Sequence, residues 1–157
     1  PYFAACLRIQ SKDMPIKIYA DPNYSRQDLN DAINLWVRAS NGKLSFQVVS
    51  NSDEAGMAFY EPPRHPNSVF CVTIGLDLVV DNLIMKASYN KTRERGCGYD
   101  AGRVNIARGI GYMLGLSGWT ANGTDVMSEM GLVWNMSPLL VESVNWLYSV
   151  EPGIRPY

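Results

Sequence analysis

Residues 100 to 118 read Asp-Ala-Gly-Arg-Val-Asn-Ile-Ala-Arg-Gly-Ile-Gly-Tyr-Met-Leu-Gly-Leu-Ser-Gly. The segment asks for a helix and works against one at the same time. Asp100 is a good cap, and Val104, Ala107, Ile110 and Leu114 recur at helical spacing. Gly109 and Gly111 lie inside the run, and each costs about 1 kcal/mol relative to alanine. Gly115 follows the last apolar position and ends the helix. A helix of this kind does not stand by itself, so the chain must supply a body for it to pack against.

That body comes earlier in the sequence. Ile16 to Tyr19 alternates between Pro15 and Asp21-Pro22 and reads as a strand. Ser25 caps a helix whose apolar positions are Leu29, Ile33, Trp36 and Val37, with Ala32 and Leu35 beside them. Asn41-Gly42 stops it after Ser40. Leu44 to Val48 and Met57 to Tyr60 follow as strands, with a turn over 51–56. Glu61 to Asn67 holds three prolines and is a loop. Ser68 to Thr73, Leu76 to Val80 and Ile84 to Tyr89 look extended, and Asn90 to Tyr99 is a polar, glycine-punctuated loop. After the glycine-bearing helix, Trp119 to Gly131 reads as loop. Ser137-Pro138 then opens a last helix with Leu140, Val144 and Leu147 on one stripe and Trp146 flanking it. This order predicts an α/β domain, a sheet covered by helices.

Size and charge narrow the function classes. One domain fills 157 residues, and 46% hydrophobic content gives it a core. A net charge of −1 offers no basis for a nucleic-acid or anionic-membrane surface, and no apolar run approaches the ~20 residues of a membrane span. Cys6, Cys71 and Cys97 match no metal spacing and allow either one disulfide and a free thiol or three thiols. Four glycosylation-type triplets begin at Asn23, Asn90, Asn122 and Asn135 and are compatible with a secreted chain.

Five stretches, in this order, resemble the metzincin metallopeptidases, and among them the matrixin-like group. They are Met14 to Tyr19 as first strand, Leu29 to Phe46 as long helix and second strand, Tyr112 to Ser117 as the end of the active-site helix, Asp125-Val-Met-Ser as the Met-turn, and Ser137 to Tyr148 as the closing helix. The resemblance implies one domain over 1–157, with an upper lobe over about 14–115 and a lower lobe over about 116–157. It implies a twisted, mainly parallel sheet of about five strands, two backing helices and a third helix in the small C-terminal lobe. It also implies an extracytoplasmic location and a cleft that takes an extended peptide.

The family's metal motif is H-E-x-x-H-x-x-G-x-x-H, three zinc-binding histidines and a general-base glutamate. Here Arg108 stands at the first histidine, Gly109 at the glutamate, Tyr112 at the second histidine and Gly118 at the third; Gly115 alone keeps the pattern. The chain has one histidine, His65, so a three-histidine zinc site is ruled out by counting. No metal or other cofactor is expected. Arg108 and Tyr112 share a helix face, and the guanidinium can lie over the phenol. They form either an internal plug, the favoured reading, or a pocket for an anion or a C-terminal carboxylate. Met127, the floor of the metal site in the family, is expected to pack in the core.

The expected function is therefore that of a catalytically inactive metzincin-like domain that binds another protein, as an accessory or scaffold subunit. Two alternatives remain. One is an enzyme with other chemistry, drawing on Cys97, His65 or the carboxylates Asp125 and Glu129, although spaced carboxylates in a loop are more often plain surface. The other is a small-ligand or glycan binder using Trp119 and Trp134.

Overall fold

The computed structural model describes residues 14–22, 24–60, 76–81, 84–90, 101–116, 125–128 and 133–150. Strand β1 (Ile16–Ala20) is followed by helix α1 (Arg26–Ala39), strand β2 (Phe46–Val48), a 3-10 turn at Ser52–Glu54, and strand β3 (Met57–Tyr60). Strands β4 (Leu76–Asp81) and β5 (Ile84–Asn90), helix α2 (Ala101–Met113) and helix α3 (Pro138–Leu147) complete the described elements. The fold is mixed α/β, with the three helices where the sequence predicts them.

A parallel sheet of three strands, β2-β1-β3, forms its base. Ile16 pairs with Phe46 on one side of β1, and Ile18 pairs with Met57 on the other. The alternation along β1 sends Ile16 and Ile18 inward and leaves Lys17 exposed. Beyond β3, β5 pairs in parallel, with Met57 opposite Ala87, and β4 pairs antiparallel to β5.

Both ends of α1 are built as the sequence suggests. The Ser25 hydroxyl accepts the Asp28 amide at 3.2 Å. At the other end the Gly42 amide donates to Val37 O and the Asn41 amide to Arg38 O, with Asn41 in the left-handed region at φ 52°. This is the Schellman closure with asparagine in place of the usual glycine. The buried positions of α1 are Leu29, Ala32, Trp36 and Ala39.

Helix α2 departs from expectation. The spacing predicts a single apolar stripe, but every residue from Val104 to Gly111 is buried, including Asn105 and Arg108. A helix enclosed on all sides is the centre of a core rather than its cover. Its C-terminus closes on Gly115 at φ 98°, with the Leu116 amide on Gly111 O and the Gly115 amide on Tyr112 O.

Helix α3 buries Leu140, Ser143, Val144 and Leu147 and meets the end of α1 through Asn145. The Asn145 side chain donates to Ala39 O at 2.6 Å and accepts from Asn41 Nδ2 and Lys43 Nζ. Residues from α1, α2, α3, β1, β3 and the 125–128 turn share one apolar cluster.

Candidate functional site

The site begins with the 125–128 turn. The Ser128 amide closes it on Asp125 O at 3.0 Å, and Asp125 Oδ1 accepts the Met127 amide at 2.9 Å. An aspartate that accepts from the amide two residues on is a strong turn former. Its other oxygen, Oδ2, accepts the Ser137 hydroxyl at 2.5 Å, while Ser137 Oγ accepts the Leu140 amide and so caps α3. The Val126 amide donates to Asn135 O. Asp125 thus joins the turn to the start of α3 and is fully buried. This corrects the reading of Asp125 as a surface carboxylate, because it is buried and both of its oxygens are engaged within the chain. Glu129, its proposed companion, lies outside the described residues.

Arg108 faces the turn from α2. Its Nε donates to Val126 O and its Nη2 to Ser128 O, both at 2.7 Å, and the residue is 5% exposed. The planar guanidinium suits two carbonyls that flank one residue, since its donors diverge in a fixed fork. Two of its donor nitrogens are spent inside the protein, which supports the plug. Tyr112, one turn on, is half-buried. Burial pushes its phenol up to about 12, and the neighbouring Arg108 charge partly opposes this.

Behind Arg108 the helix is sealed by glycine. A methyl at Gly111 would sit 2.6 Å from Met127 Sδ and 2.8 Å from Trp36 Cζ2. Met127 is buried in the common core, as expected. Trp36 is also buried, and its indole Nε1 donates to Ala107 O at 2.8 Å. Gly111 is therefore a point of close approach between α2, α1 and the turn. The sequence marked it only as a helix cost.

A catalytic zinc does not fit this donor set. Arg108 carries a fixed positive charge and no lone pair to give, Gly109 has no side chain, and Tyr112 holds its proton to about 12. Among the described residues no group of three His, Cys, Asp or Glu is placed to hold a metal ion. Gly118, at the third ligand position, lies outside the described residues, as do His65, Trp119, Cys6, Cys71 and Cys97. Trp134 is described: it is half-buried, and the Arg103 guanidinium stands 4.2 Å from its ring centre. Arg103 also reaches Asp31 of α1 at 4.0 Å. Asn105 Oδ1, enclosed on α2, accepts no hydrogen bond from the described residues.

No family model matches the chain, and no curated protein matches it in sequence. Among the described residues no helix is long and apolar enough to cross a membrane.

Proposed function

We propose that this chain is a metzincin-like domain that has lost its peptidase chemistry and works by binding another protein, as an accessory or scaffold subunit. The observation that carries the reading is the state of the ligand positions. Arg108, Gly109 and Tyr112 stand where two imidazoles and a carboxylate would be required, and Arg108 is committed to the Val126 and Ser128 carbonyls. Water activation by a metal and proton transfer to a glutamate are both missing from this helix. The finer architecture belongs to the same proposal: a five-stranded metzincin sheet, an upper lobe ending near Gly115, a lower lobe after it, and an extracytoplasmic location. A peptide-binding cleft that has lost catalysis still offers main-chain and apolar contacts to an extended segment.

A second reading, a small-ligand or glycan binder, draws on Trp134, whose half-buried indole is backed by Arg103. Quenching of tryptophan fluorescence by candidate saccharides would favour it.

The deciding experiment is purification of the chain from its native source, without chelators, followed by identification of co-purifying chains and by elemental analysis. A defined partner in constant ratio, with metal far below one equivalent, is the expected result. A monomer with no partner, or a stoichiometric zinc, defeats the proposal.

A further inference from the structure

We infer that Arg108 does the mechanical work of a metal ion at this junction: it is a cation that cannot leave, tying α2 to the 125–128 turn whatever ions are in solution. The comparison with a metal rests on the metzincin-like reading, but the contacts stand without it.

A bound divalent cation would join elements far apart in sequence by pulling oxygen and nitrogen donors onto one positive centre. Arg108 does this with its own charge. Its two short hydrogen bonds reach carbonyls 18 and 20 residues away. Charge-assisted bonds of this kind are among the stronger ones, and here they are shielded from water. The turn it holds is then fixed to α3 through Asp125 and Ser137. One guanidinium therefore stands at the head of a chain of contacts from α2 to the turn to α3. A protein stabilised by a bound ion gains stability with ion concentration. A covalently attached cation gives no such dependence, and it also repels a second cation from the same place.

The test is thermal unfolding of the full chain in EDTA, in buffer and in added zinc chloride, for the native sequence and for Arg108→Met and Arg108→Lys. The native chain should melt at one temperature in all three solutions. Arg108→Met should melt roughly 6–10 °C lower, because two buried carbonyls lose their donors. Arg108→Lys keeps the charge without the fork and should fall between the two. Amide exchange at residues 126–128 should quicken in the same order. A native melting temperature that rises with zinc or falls with EDTA overturns the inference. So does an Arg108→Met chain as stable as the native one. Should Arg108→Met fail to fold, the lysine variant and the ion titration of the native chain still decide the matter. The outcome is separate from the partner question, because a chain with the clamp and no partner, or a partner and no clamp, would each be seen as such.

Discussion

Gly111 and Met127 meet so closely that the sulfur lies 2.6 Å from where a methyl on the glycine would be. The same methyl would be 2.8 Å from the Trp36 ring, which its bond to Ala107 O holds in place. Gly111→Ala should therefore destabilise the chain by about 1–2 kcal/mol, although alanine favours a helix, because overpacking outweighs propensity. Urea denaturation measures it. Adding Met127→Ala should restore only part of the loss, since the indole remains. A more stable Gly111→Ala chain would show that the core yields there.

Among the described residues two serines, Ser25 and Ser137, cap α-helices, and they should not be worth the same. Ser25 caps α1 at the surface with one bond to the Asp28 amide. Ser137 caps α3 while giving its own proton to buried Asp125. Ser25→Ala should cost about 1 kcal/mol or less. Ser137→Ala should cost about 2–3 kcal/mol, because a fully buried carboxylate oxygen loses its donor as well. Equal losses in chemical denaturation would mean that Asp125 finds a replacement donor.

The raised Tyr112 phenol gives a pH dependence of definite sign. The unfolded chain releases this proton near 10, while the folded chain holds it to about 12. Below pH 10 both forms are protonated and stability is unaffected. As pH climbs from about 10 towards about 12 the unfolded state is favoured by proton loss, and stability falls. Phenolate absorbance should show one tyrosine titrating late, and Tyr112→Phe should remove that late step. Retention of the late step in Tyr112→Phe would assign it to another tyrosine.

The elements were legible because their signals are local. Ser25 and Ser137 announce helix starts, Gly115 announces a stop, and Ile16 and Ile18 alternate with Lys17; each needs only its neighbours in sequence. The inside of the site was less legible because its logic is tertiary. Val104, Ala107, Ile110 and Leu114 mark one apolar stripe, and only the arrival of the 125–128 turn and of α1 makes α2 an enclosed helix. Helix spacing could suggest that Arg108 plugs the site. It could not say which carbonyls it would reach. Asp125 misled most, since an aspartate in a turn is ordinarily wet, and nothing nearby in sequence points to Ser137 as its partner.

The grip of Arg108 on Val126 and Ser128 also sets which single changes the chain can survive. A histidine placed at 108 would free both carbonyls before any second ligand stood at 112 or 118, so the first step would bring damage and no new chemistry. Gly109, buried on the same helix, adds a second barrier, since a glutamate there would bring a carboxylate into a buried position. The clamp thus behaves as a ratchet in sequence space: a gradual walk from this chain to a histidine-bearing helix loses stability at its first step.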